Sequence, residues 1–232
     1  MPLTVRGHYT QSTADFAPIS VTAAYCPFVA GKRAETLLEL MFFIERFTLR
    51  RAWNGLTDTE FMWEPAEGAW TIRPVTECRT ATPFITGPLA ADFDAGLAMA
   101  TSESNAIEPL TSIAWLFWHV GSQPGRVAEL DVFGGAHSAA SGWTSPYIAE
   151  HPMFTTAEEA VTAMRAGWRS LETALRSAND EQLERPNRFW GYGQPGPMGT
   201  GAQIVALILN EVSHHGTQIG VLRDLYRMRT AI

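Results

Sequence analysis

The chain has 232 residues, of which 46% are hydrophobic and 18% are charged. This composition can bury a sizeable core, and it argues against a disordered or coiled-coil protein. The formal net charge of -7, with no cluster of lysine or arginine, argues against nucleic acid as the main partner. We therefore expect one domain spanning residues 1–232.

Cysteine content and apolar runs bear on the compartment. Cys26 and Cys78 are too few for a disulfide framework and lack the spacing of a metal site. The first sixteen residues contain no apolar stretch typical of a signal peptide, and no apolar run reaches the length of a membrane span. These features predict a cytoplasmic protein without a membrane partner.

The first third of the chain contains one clear helical pattern. Residues 1–32 show no sustained period and are interpreted as an irregular N-terminal arm. From residue 33 to residue 53 apolar side chains recur at helical spacing, and Asn54-Gly55 ends the pattern. The segment 63–106 is rich in proline and glycine, so we predict loops there and assign no strand.

Three more helices are predicted downstream. The second has Pro109 in its first turn, and Pro124-Gly125 predicts a kink or an early end. The third follows Thr156, and the fourth runs from about Thr200 to Arg227. Without convincing strand alternation, this pattern predicts an all-α four-helix bundle with long crossover loops over residues 33–229.

Polar residues interrupt the apolar stripes of the second and fourth helices. His119 lies on one stripe, and Glu211 and His215 lie one turn apart on the other. An ionised carboxylate buried without a partner costs on the order of several kcal/mol, so Glu211 requires compensation. A buried Glu211–His215 ion pair is one explanation. The other is a divalent cation held by all three residues, the His₂Glu set of catalytic zinc sites with an open coordination position.

Further residues on these helices are candidates for supporting or lining this site. Gln123 and Gln218 lie one turn along each stripe and are candidates for orienting the ligands. Arg223 and Tyr226 lie farther along the fourth helix and could line the site. An exposed arginine near a helix C-terminus is also ordinary dipole compensation. His214 points about 100° away from the ligand beside it and is expected at the surface.

Three motifs in the chain resemble the DinB-like metalloprotein superfamily. They are LTDTEFMWEPAEGAW at 56–70, LTSIAWLFWHV at 110–120, and NEVSHHGTQIGVLRDLYR at 210–227. The resemblance covers most of residues 33–227. It implies a four-helix bundle that holds a metal ion through residues of two helices.

The resemblance also assigns roles to individual residues. His119 and His215 match the first and last metal histidines of the superfamily, whereas many members have a histidine where this chain has Glu211. The Glu-x-x-x-His version is similar to the branch containing mycothiol-dependent maleylpyruvate isomerase. Zinc or nickel is the usual metal, and the harder carboxylate ligand also tolerates manganese or iron.

The resemblance implies a metal-dependent transferase or isomerase that uses a low-molecular-weight thiol, mycothiol or bacillithiol, on a small-molecule substrate. The alternative enzyme is a hydrolase or lyase that uses metal-bound hydroxide, although no H-E-x-x-H sequence is present. A non-enzymatic metal-binding stress-response protein is the third hypothesis. The aromatic loop at residues 186–198 either covers the pocket or closes the bundle end. Exposed helix faces also favour a homodimer.

Overall fold

A computed structural model describes most of the chain, namely residues 31–81, 83–94, 107, 109–129, 152–185 and 199–231. These ranges contain nearly all of the four predicted helices. The N-terminal arm, except for its last two residues, and the loop at residues 186–198 lie outside the described residues.

Helices account for most of the described residues. In chain order they are α1 (Lys32–Ile44), a π-helical turn (Glu45–Leu49), α2 (Arg50–Trp53), α3 (Asp58–Phe61), α4 (Ile113–Gly121), α5 (Gln123–Glu129), α6 (Ala157–Ser177), α7 (Asp180–Glu184) and α8 (Gly201–Thr230). The predicted first helix is confirmed as the continuous run from α1 to α2. The third and fourth are confirmed as α6 and α8, whose first turns are capped by Thr156 and Thr200.

The predicted second helix exists, but it starts later than the sequence suggested. Ser112, not Pro109, precedes its first turn, and the Ser112 hydroxyl accepts a hydrogen bond from the Trp115 backbone N–H at 3.1 Å. The helix breaks at Ser122 and resumes as α5, with Pro124 in the new first turn. The predicted interruption is therefore confirmed. Proline is tolerated in the first turn of α5, because the backbone N–H that it lacks would have no acceptor within the helix there.

A small antiparallel sheet corrects the all-α prediction. Strands β1 (Thr71–Pro74), β2 (Phe84–Thr86) and β3 (Leu89–Asp92) pair in the order β1-β3-β2. Each strand is only three or four residues long, and β1 and β3 bury residues on both faces. Strands this short cannot display the alternation by which a strand is recognised in a sequence. The fold is therefore mostly helical with one three-stranded sheet in its described part.

Hydrogen bonds join this sheet to the start of α4. The Trp70 N–H donates to the Leu110 carbonyl at 2.8 Å, and the Trp70 carbonyl accepts from the Ser112 N–H at 2.8 Å. The buried Thr71 hydroxyl also donates to the Ser112 hydroxyl at 2.8 Å. These bonds fix where α4 begins. They therefore also fix the position of His119 along the helix axis, two turns later.

The four predicted helical regions pack around a shared core. The first helical region, which is the continuous run from α1 to α2, contacts α6 and α8. Helix α4 also contacts α6 and α8. The core draws on all four regions, including Met41, Leu116, Val120, Met164, Leu171, Ile208 and Val212. None of the described helices combines the length and the apolar character that a membrane crossing needs.

Two glycines let α8 lie close to the first helical region. A Cβ built at Gly216 would stand 2.7 Å from Thr48 Cγ2, and one at Gly220 would first meet Arg51 Nε at 3.4 Å. Residue numbers rise together along both helices at this contact, so the helices run parallel. The approach is tightest at Gly216, immediately after His215.

We predict that Gly216→Ala destabilises the fold. Alanine stabilises a helix interior by about 1 kcal/mol relative to glycine. The new methyl group would, however, overlap Thr48 in a packed contact, and overpacking typically costs about 1–3 kcal/mol. The net change should be a lower free energy of unfolding in urea, measured with chelator present. Gly220→Ala, on the same helix but facing a flexible side chain, is the matched control and should be neutral or stabilising. Equal stability of the two variants would contradict the packing argument.

Candidate metal centre

Three potential metal ligands come together where α4 packs against α8. One nitrogen or oxygen atom from each of His119, Glu211 and His215 lies within 4.8 Å of the other two. His215 Nε2 is 3.4 Å from Glu211 Oε2, and the rings of His119 and His215 meet edge-to-face with centroids 4.8 Å apart. The structure therefore assembles the three residues that the sequence selected as ligands.

The donor set fits a divalent cation. Tetrahedral zinc with bonds of about 2.0–2.1 Å holds its ligand atoms about 3.4 Å apart. Glu211 and His215 already have this separation at 3.4 Å, and the wider spacing in the trio is 4.8 Å at most. Binding an ion would bring the most widely separated donors together by about 1.4 Å at most. Three protein donors leave one position of a four-coordinate ion for another ligand.

Glu211 is prepared to act as an anionic ligand. Its side chain is 31% exposed and that of His215 is 14% exposed, so the pair lies partly in the interior. The hydrogen bond with His215 lowers the pKa of the Glu211 carboxyl below its ordinary value. Burial opposes this shift, and the positive charges of the nearby histidines, when protonated, add to it. The carboxylate is accordingly ionised at neutral pH.

Gln218 orients His215. The Gln218 side-chain oxygen lies 2.7 Å from His215 Nδ1, one turn along α8. An amide oxygen only accepts hydrogen bonds, so His215 Nδ1 is the donor in this contact, and Nε2 is the nitrogen left to face Glu211 and a metal ion. Nε2 is the atom beside Glu211. The contact predicted for Gln218 is therefore present, and it orients the ring so that Nε2 faces the candidate site.

His119 is held by a partner that the sequence patterns did not reveal. The ring of Trp115, one turn earlier on α4, stacks on the imidazole with centroids 4.9 Å apart and planes 16° from parallel. Gln123 donates to the His119 backbone carbonyl at 2.7 Å rather than to the ring. Gln123 thus steadies the chain across the break at Ser122. The i,i+4 spacing of Trp115 and His119 was the available signal.

Arg223 and Tyr226 make their observed contacts elsewhere. Arg223 is 2% exposed and donates to Glu60 Oε1 at 2.8 Å and to the Arg51 carbonyl at 2.7 Å. The Tyr226 ring packs edge-to-face on Trp63. The expectation of an exposed arginine compensating its own helix dipole is wrong, because Arg223 is buried and its guanidinium caps the C-terminal carbonyls of α2.

His214 lies at the surface, as predicted. It is exposed, although its ring centroid is 4.7 Å from that of His215. Within the described residues, the ligand cluster contains His119, Glu211 and His215 but not His214. The second histidine of the doublet is therefore the candidate ligand, and the first serves as its natural control.

We predict about one equivalent of divalent metal per chain in protein purified without a histidine tag. His119→Ala, Glu211→Ala and His215→Ala should each reduce the metal content to near zero, because two donors do not retain the ion. His214→Ala removes a neighbouring imidazole outside the cluster and should leave the content unchanged. Elemental analysis by mass spectrometry measures each variant. Undiminished metal in the Glu211 and His215 variants would refute the site.

Gln218→Leu should weaken metal binding without abolishing it. Loss of a group that orients a ligand typically costs about 10–100-fold in affinity. Gln218→Glu, which retains an acceptor for Nδ1–H, should bind at least as tightly as the native chain. Thr217→Val is a neighbouring exposed control that should have no effect. Competition with a chromogenic chelator gives the affinities, and equal affinities for the Leu and Glu variants would exclude the orienting role.

Comparison with known proteins gives the family. A family model described as the DinB superfamily matches residues 89–219, a span that contains all three candidate ligands. No curated protein and no solved structure matches the chain. The match covers more than half of the chain. The chain belongs to the DinB superfamily.

Proposed function

We propose that this protein is a divalent-metal-dependent enzyme, a transferase or isomerase that activates a low-molecular-weight thiol such as mycothiol or bacillithiol. The observation that carries the proposal is the convergence of His119, Glu211 and His215, which supplies three donors within the described part of the chain. When bound, zinc, nickel or a related ion would lower the pKa of a thiol that coordinates it.

The charge of the donor set supports an anionic co-ligand. Glu211 contributes one negative charge, and His119 and His215 act as neutral ligands. A divalent ion in this set keeps a formal charge of about +1. A site with residual positive charge favours a thiolate over a neutral ligand. An all-histidine site would leave a formal charge of about +2 on a divalent ion. The Glu211 carboxylate therefore reduces the preference of the site for a thiolate.

The chain's own residues provide fixed geometry more than proton transfer. Gln218 retains the proton of His215 on Nδ1, and Trp115 limits rotation of the His119 ring. These contacts restrain the orientation of both imidazoles toward the candidate site. Helices position these groups more precisely than loops would. This arrangement suits a site that presents one reactant in a defined direction.

The architecture belongs to the same proposal. The first helical region, α4, α6 and α8 contact one another in a closed ring. This ring supports a four-helix bundle as the overall arrangement, with the ligands on the two facing helices α4 and α8. The likeness to the maleylpyruvate isomerase branch rests on the Glu-x-x-x-His spacing alone.

Thiol binding can be tested separately from turnover. In cobalt-substituted protein, mycothiol or bacillithiol should produce a sulfur-to-cobalt charge-transfer band. The band should persist in His214→Ala and be absent in His215→Ala. A spectrum unchanged by any thiol would contradict the proposed co-ligand.

Turnover is the second arm of this experiment. Metal-loaded protein should convert a model electrophile only in the presence of a thiol, and the rate should fall to background in His119→Ala. Thiol-independent hydrolysis would instead favour the hydrolase or lyase alternative. A thiol-induced band without turnover on any electrophile would favour a metal-binding protein that is not an enzyme.

A further inference from the structure

The first helical region exposes an unusual aromatic surface. Phe42, Phe43 and Phe47 are 55%, 53% and 67% exposed. Phe43 stacks on Phe47 with ring planes 13° from parallel, and Phe42 meets Phe43 edge-to-face at 5.7 Å between centroids. Isolated exposed apolar residues are ordinary, but a packed aromatic group directed to solvent marks an interaction surface.

The surface continues onto α8. Phe47 and Val221 line a shallow cleft together with Gly216 and Gly220, where the two parallel helices lie closest. Val221 is itself 53% exposed. The small residues in the cleft let both helices contribute to one broad face. We call the three phenylalanines and Val221 the phenylalanine face.

The three phenylalanines alone expose a little under half of the area that each partner of a standard interface buries. At about 200 Å² for a whole aromatic side chain, the exposed parts of the three phenylalanines sum to roughly 350 Å² per copy. Other half-exposed aliphatic side chains on the same two helices, and the stems of neighbouring charged residues, add to this area: Leu40, Leu207, Val221 and Leu225. A standard interface buries about 800 Å² per partner.

The charges flanking the phenylalanines are arranged to complement a second copy. Glu39 lies four residues before Phe43, and Arg46 lies three residues after it. Both are exposed, on the outward side of the first helical region. A two-fold axis at Phe43 would run the two helices antiparallel and place Glu39 of one copy within about 1.5 Å, along the axis, of the level of Arg46 of the other.

The same symmetry pairs a second set of charges. Glu35 lies eight residues before Phe43, and Arg50 lies seven residues after it. Arg50 makes a long ion pair of 4.0 Å with Glu45 of its own chain. Its side chain is 59% exposed, so it remains accessible to a partner. A parallel arrangement would instead set like charges side by side, which is destabilising. The positions of Glu35 and Glu39 before Phe43 and of Arg46 and Arg50 after it therefore favour the antiparallel arrangement.

We propose that the phenylalanine face is a homodimer interface, in which the first helical regions of two copies pack antiparallel about a two-fold axis at Phe43. Such an interface is isologous, because each copy offers the same patch. The proposal depends on exposed side chains and surface charge, and it is independent of the metal centre and its chemistry.

Phe43→Asp in the full chain tests the apolar part. Sedimentation across a concentration series should show a dimer for the native chain and a dissociation constant raised roughly 100-fold or more for the variant, since each dimer carries the change twice. Ile85→Asp is the matched control, because Ile85 is 54% exposed but lies on β2. It should leave the mass unchanged. Thermal unfolding verifies that both variants fold.

Charge exchange tests the two-fold axis itself. Glu39→Arg alone and Arg46→Glu alone should each weaken self-association, because each sets like charges across the axis. A mixture of the two variants should form a heterodimer, and the double variant should recover the dimer. Glu39 and Arg46 of one chain are about 10 Å apart along the helix, so recovery requires a contact between copies.

Three results would overturn the proposal. The first is a native chain that stays monomeric at its highest soluble concentration. The second is dissociation by Ile85→Asp equal to that by Phe43→Asp. The third is a pair of charge variants that neither associate with each other nor recover in the double variant.

Discussion

The metal centre depends on one constraint, the axial position of α4 relative to α8. His119 reaches Glu211 and His215 only if both helices keep their axial positions, and a shift by one helical turn would displace a ligand by about 5.4 Å. Hydrogen bonds between Trp70 and Thr71 of the sheet segment and the residues that begin α4 resist such a shift. A sheet of three short strands therefore serves the site without contributing a ligand to it.

The fourth helical region combines several tasks along one continuous helix. Its middle carries Glu211 and His215, and Gly216 permits the close approach of the first helical region. Its last third carries Arg223, whose buried guanidinium pairs with Glu60. The same guanidinium donates hydrogen bonds to backbone carbonyls at the end of α2. A buried charge of this kind requires its partner, because removal of one member leaves the other uncompensated. Position along α8 is thus fixed at two levels by unrelated interactions.

The features that depend on periodicity and ligand chemistry were predictable from the sequence. The stripe residues His119, Glu211 and His215 stood out because polar groups on an apolar face need an explanation, and Gln218 stood out because of its one-turn spacing. The sheet was missed because its strands are too short to alternate. The role of Arg223 was missed because its partner Glu60 lies in a four-residue helix far away in the chain. Local patterns do not encode such long-range pairings, whereas they do encode which face of a helix is buried.

The ligands also lie far apart in sequence, His119 before α6 and the other two after it. An ion bound by them would close a long loop of the chain, which restricts the unfolded ensemble as a cross-link does. The donors are not assembled in an unfolded chain, so metal affinity adds to the stability of the fold. The supply of the ion would consequently set the lifetime of the folded protein as well as its chemistry. Metal starvation would then lower the amount of folded protein.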